Sequence, residues 1–236
     1  MSEKIALITG ANKGIGLETA RQLGQKGVHV IVGSRDAARG TEAARKLQSE
    51  GLAAESLQLD VADQASIAAA AREVERKYGR LDILVNNAGA FFEDFTKKPS
   101  QQTLEAWRKT FDVNLFGLIA ATQAFLPLLK KAPAARIVNV TSILGSNTLH
   151  QDPSSSIYDF KVPAYNVSKS AVNAWTVHLA YELKDTKIKV NAGHPGHVKT
   201  DMGGANAPME VTQGAHTSVA LALLDADGPT GGYFHL

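Results

Sequence analysis

The chain has 236 residues, 44% of them hydrophobic, with 25 basic against 23 acidic side chains and a formal net charge of +2. That suffices for one α/β domain with a sizeable core, and it supplies no bulk charge to recruit nucleic acid or an anionic membrane. Cysteine is absent, so disulfides, thiolate nucleophiles and cysteine zinc sites are excluded.

The opening apolar run is too short for a secretory signal and carries Glu3. No later stretch is expected to reach bilayer-spanning length, so a cytoplasmic location without membrane partners is the expectation. Residues 5–9 read as a strand and 15–26 as a helix; 28–33 and 37–50 repeat the pair. Strands over 56–59 and 83–85 flank a helix over Gln64–Tyr78. Residues 104–130 hold one long helix or two in sequence. A strand over 136–141, a helix over 164–183 and a strand over 187–192 follow. Several strands are continuous Val/Ile/Leu runs, the pattern of a parallel sheet buried on both faces. Alternating βαβ units predict a doubly wound α/β fold, a parallel sheet of about seven strands, in one domain over residues 1–236. Residues 146–163 and 203–209 read as functional loops.

After the first strand comes Gly10-Ala11-Asn12-Lys13-Gly14-Ile15-Gly16, then the helix. Glycine permits tight turns and close approach of the backbone to a ligand. The helix start directs free N–H groups and a positive dipole end at this loop, which suits a pyrophosphate. The spacing is Gly-x3-Gly-x-Gly rather than Gly-x-Gly-x-x-Gly, and an ordinary βα turn is the alternative. The second strand ends in Gly33-Ser34-Arg35. An acidic residue there favours NAD, and an arginine favours the 2′-phosphate of NADP. Arg35 offers a guanidinium, Ser34 a hydroxyl and Lys13 a second cation, which selects NADP(H) over NAD(H). The alternative leaves both cations as solvated surface charges. Asp36 is placed to cap the following helix.

Tyr165 and Lys169 stand four apart at the start of a predicted helix, on one face. A free phenol has a pKa of about 10, and a nearby cation favours its ionised form. The spacing alone is common, and its context gives it meaning. Thr9 with the Gly10–Gly16 loop, Asp60-Val61, Asn86-Asn87-Ala88-Gly89, Asn114, Ser142, Tyr165 with Lys169, and Pro195-Gly196 with Thr200 follow one another in that order. In this the chain resembles the short-chain dehydrogenases/reductases, in the single-domain branch that includes many carbonyl reductases, from Lys4 to about Phe234. The fold that the resemblance implies is Rossmann-like.

The resemblance implies a catalytic set of Asn114, Ser142, Tyr165 and Lys169. Ser142 would hold the substrate carbonyl, Tyr165 would move the proton, Lys169 would bind the nicotinamide ribose and keep Tyr165 acidic, and Asn114 would position a relay water. Cofactor contacts implied are Gly10, Asn12, Lys13, Gly14, Ile15, Gly16, Ser34, Arg35, Asp60, Val61, Asn87, Ala88, Gly89, Tyr165, Lys169, Pro195, Gly196, Val198 and Thr200. On the residues alone, Asn87 reads as a turn former, Asn114 as a brace for a kink, Ser142 as a local backbone partner, and Thr200 and Asp201 as helix caps.

Ser142 and Tyr165 are further apart than in many relatives, the extra residues falling within 147–162. This insertion lies beside a helix that relatives often use for subunit contact, and a longer one blocks assembly in certain carbonyl reductases. A homodimer is the expectation, with assembly left open. The glycine-rich stretch after Pro195 takes the place of a substrate lid. Phe91, Phe92, Leu144, Phe160 and Met202 are candidates for an apolar substrate wall, or for core. His194 and His197 flank Pro195-Gly196, but no third ligand accompanies them, and local packing is preferred to a metal. The expected activity is reduction of a small-molecule ketone or aldehyde, reversible as alcohol oxidation. A 3-oxoacyl thioester reductase is the alternative enzyme, using Lys97, Lys98, Lys130 and Lys131 toward a carrier protein. A nucleotide-sensing module without catalysis is the third reading.

Overall fold

Strands without a polar face need cover on both sides, and the chain provides it. The computed structural model describes residues 3–235. Among them, β1 (Ile5–Ile8), β2 (His29–Ser34), β3 (Ala54–Gln58), β4 (Ile83–Asn86), β5 (Arg136–Val140), β6 (Lys189–Gly193) and β7 (Tyr233–Phe234) form one sheet in the order β3-β2-β1-β4-β5-β6-β7. Every pairing is parallel. The helices are α1 (Gly14–Gln25), α2 (Ala37–Ser49), α3 (Gln64–Tyr78), α4 (Leu104–Phe111), α5 (Leu118–Leu129), α6 (Asn147–Gln151), α7 (Pro163–Glu182) and α8 (Val211–Ala222).

Successive strand residues face opposite sides of a sheet. Leu7, Ile31, Leu84 and Ile137 pack with Ile67, Val74, Phe125 and Leu179 of α3, α5 and α7. Ile8, Val32, Val85 and Val138 pack with Leu23, Leu47 and Val219 of α1, α2 and α8. Each fully buried leucine or isoleucine contributes ~1.5–3 kcal/mol. A polar chain crosses the first of these cores. The Asn86 amide donates to Thr122 Oγ1 and Asn139 Oδ1 at 2.9 Å each, and the Asn139 amide donates to Thr176 Oγ1 at 2.9 Å. It ties β4 and β5 to α5 and α7 inside an apolar layer, where unpaired amides would be costly.

Helix ends follow local chemistry. Asp36 accepts from Arg39 N at 3.1 Å and Asp63 from Ala65 N at 2.9 Å, and α3 stops at Gly79 with φ 70°. The Asp36 cap is the one expected from the sequence.

The structure decides one expectation left open, corrects two and adds two elements. The 104–130 stretch is one helical run, α4 to α5, through a π-helical turn at Asp112–Gly117. Leu104–Leu129 is long and apolar enough to cross a membrane, contrary to the sequence expectation. Its Phe125, Leu128 and Leu129 are instead core, packed with α3 and the sheet. Residues 146–163 are not bare loop: they hold α6, and Ile157 and Val162 are buried. Finally, α8 and β7 complete the two flanks of the fold, with β7 pairing beside β6.

Candidate active site

The strand order reverses direction between β1 and β4, and open α/β sheets bind ligands outside the carboxyl ends of strands at such a point. A cleft of about 680 Å³ lies there, lined by residues following β1, β2, β4, β5 and β6. A larger groove of about 1090 Å³ runs between α1 and α8, lined by Glu18, Gln22, His216 and Leu223 among others, and holds none of the motif residues. The smaller cleft, not the groove, gathers the motif residues that line a cavity.

Gly10 and Gly14 adopt φ of 64° and 57°, which only glycine takes without strain. Gly16 has no such angle but no room either: a Cβ there would stand 2.8 Å from the Gly10 carbonyl oxygen. Helix α1 begins at Gly14 with no side-chain cap on its N-terminus and no acidic residue in its first turn. Its N–H groups and positive dipole end face the cleft. Thr9 Oγ1 accepts from Asn87 N and Ala88 N at 3.0 and 2.9 Å, and the Asn87 amide donates to Thr9 O at 2.8 Å and Gly10 O at 3.2 Å. The Asn87 side chain thus shapes the glycine loop from behind, as the turn-former reading expected.

Gly10, Asn12, Lys13, Gly14, Ile15, Gly16, Ser34, Arg35, Asp60, Val61, Asn87, Ala88, Gly89, Pro195 and Thr200 all line the cleft, with Tyr165 and Lys169. Gly196 and Val198 are not among the lining residues. Val198 is buried, and its side chain packs over Gly214. Ser34 is also buried, its hydroxyl donating to Asp36 O at 2.8 Å, so it offers a lone pair more readily than a proton. Lys13 is ion-paired with Asp201 across the cleft, an arrangement the sequence did not suggest. Arg39, which sequence reasoning passed over, lines the cleft beside Arg35. Its signal was there: Arg39 lies in the first turn of α2, just after the Gly33-Ser34-Arg35 strand end.

On the catalytic side, Lys169 is buried, and its Nζ donates to Val140 O at 2.9 Å and lies 5.6 Å from the Tyr165 ring centre. Burial pushes its amine down to about 8. Burial also pushes the Tyr165 phenol up to about 12; a hydrogen bond with Ser142 works against this and the Glu93 carboxylate adds to it. Ser142 Oγ accepts from Leu144 N at 3.1 Å, which leaves its own proton for another acceptor. Asn114 is fully buried: its amide donates to Ala90 O at 2.8 Å and Ser168 Oγ at 3.0 Å, and its Oδ1 accepts from Ala90 N at 2.8 Å. It ties the loop after β4 to α7, and it sits where the helix widens into its π turn. Such turns recur at functional sites.

Phe91 stands edge-on to Tyr165, ring centres 6.2 Å apart, and lines the cleft with Met202. Leu144 is half-buried outside the cleft lining, and Phe160 is exposed. His194 Nδ1 accepts from Gly196 N at 3.0 Å and His197 Nε2 lies 2.8 Å from Gly203 O. No group of three metal-type side chains occurs among the described residues. Of the four lysines considered for a carrier protein, Lys97 pairs with Asp94 and Lys131 with Glu75.

Comparison with known proteins agrees with this layout. The short chain dehydrogenase family profile matches residues 4–211. The chain is 36% identical to (+)-neomenthol dehydrogenase of Arabidopsis thaliana, over 98% of this chain and 95% of that protein. It is 36% identical to carbonyl reductase (NADPH) 1 of Bos taurus, with the same coverage. Among solved structures, salutaridine reductase from Papaver somniferum superposes with a TM-score of 0.85 at 30% identity, covering 99% of this chain and all of the other.

Proposed function

Because the chain belongs to the short-chain dehydrogenase family, whose reductases and dehydrogenases act on carbonyl and alcohol groups, we propose that it reduces ketones or aldehydes with NADPH, Tyr165 donating the proton. The observation that carries this reading is the meeting of Tyr165 and Lys169 with the Gly10–Gly16 loop and Arg35 in one cleft. The NADPH named for the bovine relative supports the choice of cofactor.

The cleft fits such a cofactor. The uncapped start of α1 would take the pyrophosphate, Arg35 and Arg39 the 2′-phosphate, and Lys169 the ribose beside the nicotinamide. When bound, the nicotinamide supplies the hydride. The chain's own residues handle the proton. A phenol held near 12 is protonated at neutral pH, the form that a reduction requires. Ser142, its lone pair engaged by Leu144 N, can donate to the carbonyl oxygen and steady the developing alkoxide. Once the phenol gives up its proton, the Lys169 ammonium stabilises the phenolate left behind. The Asn114 amide N–H groups are held by Ala90 and Ser168, and its Oδ1, which accepts only from Ala90 N, keeps a lone pair for a relay water. Phe91 and Met202 favour an apolar substrate. A homodimer in the cytoplasm accompanies this reading; Val167, Val177 and Tyr181 are exposed on α7, where a second subunit would cover them.

The test is NADPH consumption across a panel of cyclic, aromatic and aliphatic carbonyl compounds. Tyr165→Phe is expected to lose about 100-fold or more in kcat with NADPH binding retained. Undiminished turnover in that variant removes Tyr165 from the mechanism, and a panel without any consumed compound removes the activity.

A further inference from the structure

We propose that Glu93, which belongs to none of the motifs, is the positioning residue of the proton-transfer site: its carboxylate clamps the Tyr165 main chain to the loop after β4 and to α4. This deepens the assignment of Tyr165 as proton donor and rests on it.

Glu93 is a buried acid, 7% exposed, in the loop that also carries Phe91. Its Oε1 accepts from Tyr165 N at 2.7 Å, and its Oε2 accepts from Thr110 Oγ1 and Phe92 N at 3.2 Å each. Three segments therefore meet on one side chain. The helix needs this partner. Val162 precedes α7 without a side-chain cap, and Pro163 in the first turn has no N–H. The N–H of Tyr165 is one of the groups that a helix start leaves unpaired. A carboxylate is the favoured charge at that end of the dipole, and a charge-assisted bond is about twice as strong as a neutral one. Glu93 thus fixes the height of the phenol above the cleft, from the same loop that sets Phe91 against its ring.

The second consequence is electrostatic. Ionisation of Tyr165 places a second negative charge beside a buried first one, at low dielectric. The groups facing the phenol are few. Lys169 comes from α7 itself, and Glu93 from the β4 loop. Ser142 after β5, hydrogen-bonded to the phenol, is uncharged. His150, from the segment before α7, engages Asn166, and Lys161 engages His150. Lys13 and Asp201 neutralise one another across the cleft. Burial does most to keep the proton on the phenol, the hydrogen bond with Ser142 works against it, and the Glu93 charge adds to it.

The experiment is the pH dependence of kcat/KM for alcohol oxidation with NADP, in which the phenol must ionise, for wild type, Glu93→Gln and Tyr165→Phe. Glutamine keeps an oxygen for the Tyr165 N–H and removes the charge. Its ascending limb is expected to move to lower pH by roughly half to one unit, with a lower plateau because the amide NH2 cannot accept from Phe92 N. A limb superimposable on wild type overturns the proposal. Wild-type turnover by Tyr165→Phe overturns the assignment of Tyr165 instead, whatever Glu93→Gln does. If circular dichroism shows Glu93→Gln unfolded, Glu93→Met removes the same charge and its limb must move the same way. Unfolding of both overturns the proposal by making Glu93 a requirement of the fold.

Discussion

The ammonium of Lys169 donates to the carbonyl oxygen of Val140, the last residue of β5, at 2.9 Å. A buried amine is thus held at a strand end with one carbonyl for company. Burial pushes it from 10.5 down to about 8. Between those values the unfolded chain holds a proton that the folded chain lacks, so this group's contribution to stability rises with pH across that window. Below it the cost of the buried charge is constant. In the cofactor-free protein, Lys169→Met should therefore be more stable than wild type near pH 7, by on the order of 2 kcal/mol once the lost hydrogen bond is allowed for. The gap should close as the pH approaches about 10.5. Urea unfolding of both proteins across this range checks the sign; a gap that widens with pH contradicts it.

Arg35 and Arg39 flank the same end of the cleft. If both read a 2′-phosphate, each charge-assisted contact is worth ~1.5–3 kcal/mol. Arg39→Ala should then raise the Kd for NADPH about tenfold or more, and the double alanine variant about 100-fold or more, with NADH affinity little changed. Fluorescence titration with both nucleotides measures this. An equal loss for NADH and NADPH assigns the arginines to general attraction rather than to selection.

Much of this layout was legible in advance. Continuous apolar runs marked β1, β2 and β4, because a strand covered on both faces needs no polar alternation. The order of the motifs placed the cleft. The parts that escaped notice depend on tertiary contacts or carry no period. Helix α8 buries small residues, Gly214, Ala215, Thr217 and Ser218, beside Val219 and Leu221, so it lacks the contrast that marks an amphipathic helix. Strand β7 is two residues long. The π turn at Asp112–Gly117 interrupts a pattern that reads as ordinary helix. Glu93 looks like one more loop acid until α7 is packed over it, and Lys13 looks free until Asp201 is seen across the cleft.

The glycine loop allows a sharper test than its spacing did. At Gly16 the backbone φ is ordinary, so alanine is excluded only by contact, with the Gly10 carbonyl oxygen at 2.8 Å, the Ala11 Cα at 3.0 Å and the Asn87 amide nearer still. Two of these are backbone atoms that cannot swing aside. Gly16→Ala should displace the loop at a cost of ~1–3 kcal/mol in stability and raise the Kd for NADPH about tenfold or more. At Gly27 nothing lies within 4 Å, but φ is 76°, so Gly27→Ala should cost ~1 kcal/mol through backbone strain alone and leave NADPH binding untouched. Thermal melts and nucleotide titration of the two variants separate the loop's role from generic glycine effects. Equal nucleotide affinities would show that the loop tolerates the shift.

His194 gives the protein an acid-sensitive point behind the cleft. Its ring is buried, stacks on His235 at 4.0 Å, and accepts from Gly196 N through Nδ1. That acceptor role requires an unprotonated nitrogen. Burial first, and the neighbouring His235 second, push its pKa from 6.5 down to about 4. As pH falls through this window the unfolded chain takes up a proton and the folded chain does not. The stabilisation is therefore complete above about 6.5 and is lost progressively toward about 4. The loss over this window is on the order of 2 kcal/mol. His194→Asn keeps an oxygen two residues before Gly196 N, as in an Asx turn, and cannot titrate. Its stability should fall slightly below wild type near neutrality, and the two should converge as the pH drops. Urea midpoints measured from pH 7 to 4 decide the matter: parallel lines would mean that the acid sensitivity lies elsewhere.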